Sequence, residues 1–419
     1  GRGLIAQQYG ETTISNCRSN VIIKSSVDGD GTHGGFVAAT NGTSTVNFEG
    51  CVFDGSLQGE STKCWGGFVG WKSNSGNVNV SNSLFAPASV TIDASDSYTF
   101  ARRSGTTIPN SYYVAALGTA QGKALHTIEP GENVTISNIA LTGDATVYNV
   151  SGITAYSGGG LKRTVNDEPI LYYGSGDQVS LTLSNSGDDA PLGYYYPYTA
   201  SAGMLSGSTL TMPDDDVTVS VGAIRSDGQS HSISYVDEKG DDATHDAIAL
   251  DETMTTLSEG WYFVGKDINY TQTVYLDGDV NIILTDGKTM NVGTSESRIS
   301  SGKGITGNTR SLTIYGQSDQ SGTLNAYASN TYNDAVYVKN YAQHGGIVTL
   351  DASNYNALDL NYGNLTLTRG TLNAKAGGTR NAIDLDEGCV IVTGGTLNAD
   401  GSAAINGYIK STVLNMTGR

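Results

Sequence analysis

Internal repeats constrain what this chain can fold into more than any other feature of its sequence. In the C-terminal part, four short strand-like segments begin at Ala335, Ala357, Ala382 and Ala404, with spacings of 22, 25 and 22 residues. Two further strand-like segments follow each of the first three, so one repeat holds three strands and three bends. Repeats of this length stack because none can bury its apolar face alone. We therefore expect a right-handed parallel β-helix over residues 226–419.

The N-terminal part carries a second, longer repeat. The motif HGGFVAA recurs 32 residues further on as WGGFVGW, and Phe36, Phe68 and Phe100 follow the same spacing. A second strand-like element keeps its order in successive repeats, at Ile14, Phe48, Val80 and Ile108. We expect residues 1–116 to form another right-handed parallel β-helix, with Gly-, Ser- and Asn-rich bends of variable length.

Residues 117–225, between the repeats, lose this periodicity and show the alternation of ordinary two-sided strands. They predict a small antiparallel β module. Residues 226–255 include the polar sequence DEKGDDATHD, which favours a polar connector or an irregular cap on the second β-helix. The predicted fold class is therefore all-β, with two β-helices (β-solenoids) flanking the module.

The amino-acid composition favours strands over helices and restricts the classes of binding partner that this chain can have. Charged residues make up 15% of the chain, against roughly 25% in an average globular domain. Surface helix formers are therefore scarce. The net charge of −18 argues against nucleic acid, because a phosphate-binding protein must supply cations. No run of 18 apolar residues occurs, so no membrane-spanning segment is expected.

The cysteines carry no metal or redox motif, since none of the four belongs to a CxxC pair. Cys17 and Cys51 occupy equivalent positions in neighbouring repeats. They are expected either to stack as free thiols or to form a disulfide across adjacent turns. Cys389 aligns with Asn364 and is assigned no role.

Three stretches of the chain resemble known bacterial surface modules. The GGFVG and NSYY repeats of residues 1–116 resemble Gly-rich β-helix repeats of large bacterial cell-surface proteins. The segment STLTMPDDDVTVSV, residues 208–221, looks like the closing strand of a divergent repeat in internalin-type adhesins. Residues from Gly260 onward, through SLTIYGQ to the GTLNA repeats, are similar to carbohydrate-binding-like β-helix modules. The resemblance implies an extracellular or cell-surface protein with an adhesive or glycan-binding role, in a class whose members can hold calcium.

Outward positions of the C-terminal strands supply the candidate site. Aligning the repeats places aromatic, carboxylate, amide and lysine side chains in two adjacent rows on one face. The first row is Tyr337, Asp359, Asp384 and Asn406, and the second is Lys339, Asn361, Asp386 and Tyr408.

Two ligands suit this face, and an ordinary solvated surface without a ligand is the alternative to both. Carboxylates opposite each other on parallel strands repel, and a calcium ion held by Asp359, Asp384 and Asp386 would relieve them. A glycan would instead stack on the tyrosine rings and share hydrogen bonds with the amides and carboxylates. The same rows also suit an ordinary solvated surface.

A repeated polar position in the C-terminal TLNA or TLDA segments indicates structure rather than binding. It comprises Asn325, Asp351, Asn373 and Asn398. We expect these side chains to lie at a bend and to hydrogen-bond to neighbouring backbone.

Three functions remain open at this point. The favoured one is a non-catalytic extracellular adhesin that binds a glycan or a host or cell-surface ligand. A structural stalk that displays other domains is the first alternative, and a calcium-dependent polysaccharide lyase or hydrolase is the second. The lack of a convincing catalytic motif argues against an enzyme. GDGTHG matches a dinucleotide-binding fingerprint but opens no predicted helix, and neither GxSxG nor HExxH occurs in the sequence.

Overall fold

The computed structural model describes residues 1–103, 105–136, 147–150, 153–156, 160–165, 168–184, 190–329 and 332–411. Within these residues the chain is all-β and contains no helix, which confirms the all-β part of the predicted class. The chain divides into two compact units, Gly1–Asp188 with Pro197–Gly222 and Asp189–Tyr196 with Ala223–Arg419.

The first unit opens with a region of short strands. These are β1 (Ile5–Gln8), β2 (Glu11–Ser15), β3 (Arg18–Ser19), β4 (Ile22–Lys24), β5 (Gly29–Gly34), β6 (Val37–Thr40), β7 (Thr45–Glu49), β8 (Val52–Phe53), β9 (Ser56–Gly59), β10 (Thr62–Gly66), β11 (Val69–Trp71), β12 (Asn77–Ser81), β13 (Leu84–Phe85), β14 (Ser89–Ile92) and β15 (Tyr112–Tyr113).

Strands in this region pair in parallel with the strand one repeat away. The sheets β1-β6-β11, β2-β7-β12, β4-β9-β14 and β3-β8-β13-β15 are parallel throughout. In register, Phe48 lies opposite Ile14 and Val80, as the repeat alignment predicts. The rings of Phe36 and Phe100 lie 4.8 and 5.0 Å from that of Phe68 between them, all buried.

The cysteines of this region are free thiols. The register that places Arg18 opposite Val52 brings Cys17 and Cys51 side by side, and neither forms a disulfide. Their Sγ atoms instead lie 3.2 Å from the carbonyl oxygens of Ser15 and Ile14. Burial raises the pKa of the Cys51 thiol. Of the two alternatives left by the sequence, stacked thiols are what the structure shows.

Beyond the repeats the strands become mostly antiparallel. They are β16 (Lys123–Pro130), β17 (Val134–Ile136), β18 (Val147–Val150), β19 (Ile153–Tyr156), β20 (Gly160–Val165), β21 (Glu168–Gly174), β22 (Gln178–Leu183), β23 (Tyr194–Tyr195, in the second unit), β24 (Tyr198–Ala200), β25 (Met204–Ser206), β26 (Thr209–Thr211) and β27 (Val217–Val221). β16 runs antiparallel to β21 but parallel to β15 and β27. Val179, Leu210, Met212 and Val219 form part of a separate buried cluster here.

The second unit continues with longer strands. They are β28 (Arg225–Ser226), β29 (Ser230–Val236), β30 (Asp242–Ala249), β31 (Thr256–Leu257), β32 (Gly260–Val264), β33 (Ile268–Tyr270), β34 (Val274–Leu276), β35 (Val280–Leu284), β36 (Thr289–Val292), β37 (Ile305–Gly316), β38 (Thr323–Ala328), β39 (Val336–Ala352), β40 (Leu358–Leu360), β41 (Leu365–Ala376), β42 (Ile383–Val392), β43 (Thr396–Asp400) and β44 (Ile405–Ser411).

From β31 onward, every strand pairing among the described residues of this unit is parallel and links neighbouring repeats. Val336 lies opposite Ile305 on one side and Leu358 on the other. Apolar side chains at alternate positions of these strands, among them Val336, Leu358 and Ile383, are buried, and Leu397 and Ile405 are partly buried at the C-terminal end. β39 shows that a bend need not end a strand, since its 17 residues pair in succession with β37, β38, β40 and β41.

The polar segment predicted as a connector or an irregular cap is instead a β-hairpin. β29 and β30 are antiparallel, and the Asp237 carboxylate accepts hydrogen bonds from the turn amides of Lys239, Gly240 and Asp241 at 2.8–2.9 Å. Ile248 then pairs in parallel with Tyr262. The hairpin contributes Ile233 to a buried aromatic cluster, in which Tyr235, Trp261 and Tyr315 pack ring to ring. This apolar face explains why the segment is ordered despite its charged turn.

Asparagine ladders run along the strands rather than at bends. Asn269, Asn291 and Asn325 stack in register, and each amide donates to the Oδ1 atom of its predecessor at 2.8 and 2.9 Å. Asn398 and Asn373 form the same bond at 2.8 Å. The predicted bonds to backbone are therefore bonds between side chains. Asp351 is not in the ladder: it lies opposite Tyr327 and Lys375, and Thr349 fills the ladder position.

Candidate functional site

The first predicted row of side chains is continuous in the structure. Tyr337 on β39 lies opposite Asp359 on β40, Asp359 lies opposite Asp384 on β42, and Asp384 lies opposite Asn406 on β44. Asn406 Nδ2 donates to Asp384 Oδ1 at 2.8 Å. The spacing of the Ala-led segments therefore predicted a real neighbourhood, which we call the Tyr337–Asn406 row.

The second predicted row is broken. Asn361 follows the paired part of β40 and donates to the Asn308 side chain at 2.6 Å, while Lys339 is exposed. Asp386 has a positive φ of 54° and sits at a register shift of β42, so that Tyr408 lies opposite Cys389 instead. Tyr408 is therefore out of register with the row predicted for Lys339, Asn361 and Asp386.

Two asparagines that the sequence reasoning missed hold the carboxylates of the Tyr337–Asn406 row. Asn356 Nδ2 lies 3.2 Å from Oδ2 of both Asp359 and Asp384. Asn381 Nδ2 donates to Asp384 Oδ2 at 3.2 Å, and its backbone amide donates to Asn356 Oδ1 at 3.1 Å. The available signal was an Asn three residues before each Asp. The Asn356 amide thus bridges the two carboxylates and offsets their repulsion, a role that the sequence analysis assigned to a calcium ion.

Charge in the row is set by burial and by neighbouring carboxylates. Burial raises the pKa of Asp359, the Asn356 hydrogen bond lowers it, and the adjacent Asp384 carboxylate raises it again. The net pKa of Asp359 is higher than that of a free Asp side chain. Desolvation of the charged form is the dominant cause.

Aromatic rings and cations flank the same row. The Lys303 Nζ atom lies 4.3 Å from the centroid of the Tyr337 ring and 5.9 Å from that of Tyr355. The guanidinium carbon of Arg380 lies 4.4 Å from the Tyr355 centroid. Tyr332, which is exposed, lies 5.6 Å from Tyr355 ring to ring. Cation–ring contacts of this length are attractive and hold the rings in place.

Asp334 is the buried end of this group. It occupies, in the repeat before, the position of Asn356, and it forms an ion pair with Lys303 while being 0% exposed. Burial raises its pKa to about 7, Lys303 opposes this shift, and the Asp359 carboxylate adds to it. No spacing argument singled out Lys303 or Asp334, because neither belongs to the alternating outward positions.

Metal ligation has less geometric support than the row itself. Among the described residues, no three His, Cys, Asp or Glu side chains come together as a cation site. Asp359 and Asp384 are neighbours on adjacent strands, and the Asp386 carboxylate is close enough to contribute to the raised pKa of Asp359. The calcium site predicted for Asp359, Asp384 and Asp386 stays a prediction.

A groove of about 490 Å³ lies beside the hairpin, lined in part by Tyr235, Asp242, Thr244, Asp286 and Gln317. The Asp286 carboxylate is already occupied, since it accepts the backbone amides of Asp319 and Ser321 at 2.9 and 3.0 Å. The Asp286 carboxylate in the groove wall is therefore already engaged in hydrogen bonds within the protein.

Comparison with known proteins adds no functional assignment. No family model, no curated protein and no solved structure matches the chain. None of the described residues forms a helix long and apolar enough to cross a membrane.

Proposed function

We propose that this chain is an extracellular bacterial surface protein, non-catalytic, whose two repeat regions are right-handed parallel β-helices. Its C-terminal region binds a glycan along the Tyr337–Asn406 row. The proposal rests on one observation: the row is in register across four parallel strands, begins with the ring of Tyr337, and lies beside the rings of Tyr355 and Tyr332.

This arrangement suits the chemistry of sugars. Tyrosine rings offer flat apolar faces to sugar C–H groups, while carboxylates and amides accept or donate hydroxyl hydrogen bonds. Adjacent parallel strands stand about 4.8 Å apart, so the row repeats its polar groups at a fixed interval along an extended chain. A linear polysaccharide is therefore a better match than a compact ligand.

A glycan array with the full chain tests the proposal. Tyr355→Ala removes a ring beside the row, and Tyr362→Ala is the matched control, because Tyr362 is 67% exposed and outside the row. Binding by wild type and Tyr362→Ala, with at least tenfold weaker binding by Tyr355→Ala, supports the proposal. Equal binding by all three would place the ligand elsewhere.

A structural stalk is the second candidate, and one observation favours it. The polar atoms of the row are largely bonded to one another through Asn356, Asn381 and Asn406, which leaves fewer free for a ligand. No retained ligand on any soluble or insoluble polysaccharide would favour the stalk.

Calcium and catalysis remain separate predictions. A bound calcium ion should raise the melting temperature, and chelation should lower it. A lyase would release unsaturated product from polygalacturonate in the presence of calcium, measured by ultraviolet absorbance. A flat absorbance trace is the expected result for a non-catalytic protein.

A further inference from the structure

Lys303 and Asp334 meet in neighbouring repeats at the buried edge of the site. Ile305 lies opposite Val336, so the residues two positions earlier, Lys303 and Asp334, are also adjacent. The backbone amide of Gly304 donates to the carbonyl oxygen of Asp334 at 3.0 Å, which holds these two segments of the chain together. The Lys303 Nζ atom contacts Asp334 Oδ2 directly.

The buried Asp334 carboxyl group has too few hydrogen-bond partners to be stable as an anion. Its side chain is 0% exposed, and its Oδ1 atom has no hydrogen-bond partner among the described residues. A buried carboxylate is costly unless all its lone pairs are satisfied. Burial raises the pKa of Asp334 to about 7, which favours the neutral acid. A neutral carbonyl oxygen at Oδ1 would cost less free energy to bury without a hydrogen bond than a carboxylate oxygen.

The amine is held in place from several sides. Lys303 Nζ donates to the backbone carbonyl oxygen of Tyr332 at 3.2 Å and lies over the Tyr337 ring at 4.3 Å. These contacts restrict the flexible lysine side chain and keep Nζ against the carboxyl group of Asp334. Such positioning replaces a bimolecular encounter by an intramolecular one.

We propose that Lys303 and Asp334 condense into an intramolecular isopeptide bond that ties two successive repeats together. A proton passes from the ammonium to the carboxylate, giving amine and carboxylic acid. Nζ then attacks Cγ of Asp334, the bond from Cγ to its hydroxyl oxygen breaks, and that oxygen leaves as water with one proton from Nζ. No electron is gained or lost and no co-reactant is needed. Exclusion of water from Asp334 disfavours the reverse hydrolysis.

A second lysine–carboxylate pair in the same unit provides an internal comparison. Lys266 Nζ contacts Glu252 Oε1 at 2.6 Å, but the Glu252 side chain is 36% exposed. Water can solvate this carboxylate and attack any amide formed there. We therefore expect an ion pair at Lys266 and a covalent bond at Lys303.

Mass spectrometry of the folded full chain tests the proposal. The intact mass should be lower than the sequence mass by one water molecule. Proteolysis should yield one branched peptide joining the segments that contain Lys303 and Asp334, while Lys266 stays unmodified. Lys303→Arg keeps the positive charge but cannot form this amide, so its mass should equal its own sequence mass.

Two results would overturn the proposal. One is a wild-type chain that is folded, as shown by circular dichroism, yet stays at the full sequence mass after prolonged incubation. The other is a water loss that persists in Lys303→Arg, or that maps to an Asp–Gly step such as Asp286–Gly287 and is converted to a hydroxamate by hydroxylamine. The latter is the signature of a succinimide rather than an isopeptide bond.

Discussion

Asp359 and Asp384 lie directly opposite each other on neighbouring parallel strands, and a single amide group, Nδ2 of Asn356, contacts both. Two carboxylates so placed would repel each other and destabilise the sheet. The amide offers one hydrogen to each and offsets that repulsion without a net charge. The stability of this part of the second unit therefore depends on a side chain that carries no charge itself.

Replacing Asn356 by Ala should destabilise the second unit by about 2–3 kcal/mol, since the substitution removes hydrogen bonds to two carboxylates from a buried position. Asn356 is 3% exposed. The measurement is the unfolding free energy from denaturant titration at neutral pH. The control is Asn354→Ala, because Asn354 is exposed and bonds only to Ser353 among the described partners. Equal effects of the two substitutions would contradict the role of the bridge.

Asp359→Asn should stabilise the protein at pH 8 and have little effect at pH 4. The pKa of Asp359 is raised in the folded chain, mainly by burial, so the folded state binds more protons than the unfolded state above the ordinary value of 3.8. Stability then falls as pH rises through that window and the side chain ionises. The asparagine variant cannot ionise, and its stability should lack this part of the pH slope. A slope identical to that of wild type would show that Asp359 does not contribute to it.

Sequence spacing predicted the Tyr337–Asn406 row because residues at the same offset from each Ala-led start become neighbours, although the repeats are 22, 25 and 22 residues long. The same logic failed for Tyr408. Between Asp384 and Cys389 the chain contains an extra bend, with Asp386 in the left-handed region, and the following repeat lacks it. A difference in bend length between two repeats changes the pairing register of every later residue in those repeats. The alternation of inward and outward residues does not reveal such a change.

The partners of the row were harder to predict than the row. Asn356 and Asp334 lie just before strands, where polar residues normally indicate solvent-exposed bends, yet both are buried. The hairpin of β29 and β30 was missed for a related reason. Its charged turn dominates the local composition, whereas its order comes from packing against Trp261 and Tyr315, which are distant in sequence.

Asn291→Ala should cost more stability than Asn269→Ala. Asn291 lies inside a ladder and both donates to Asn269 and accepts from Asn325, whereas the Asn269 side chain makes one ladder bond. At about 1 kcal/mol per bond, the expected losses are about 2 and about 1 kcal/mol. Denaturant titration of the two variants against wild type measures both. A larger loss for Asn269→Ala would show that packing, and not the amide ladder, dominates these positions.

Acid should weaken the first unit through His33. The His33 ring is 2% exposed, lies 4.5 Å from the Trp65 ring and places Nε2 2.9 Å from Ser25 Oγ. Burial, with help from the Arg2 charge, lowers the pKa of His33 to about 4. The unfolded chain, with a pKa near 6.5, binds the proton first, so stability is lost as pH falls from about 7 to about 4.

The loss should amount to about 2 kcal/mol, and His33→Gln should remove it by replacing the ring with a side chain that does not titrate. Thermal melts of the two proteins between pH 7.5 and 4.5 measure the difference, and His245→Gln is the control because the His245 side chain is exposed. The decisive quantity is the change in melting temperature between the two pH values. If that change is the same in wild type and His33→Gln, the buried imidazole is not the group that makes the first unit acid-sensitive.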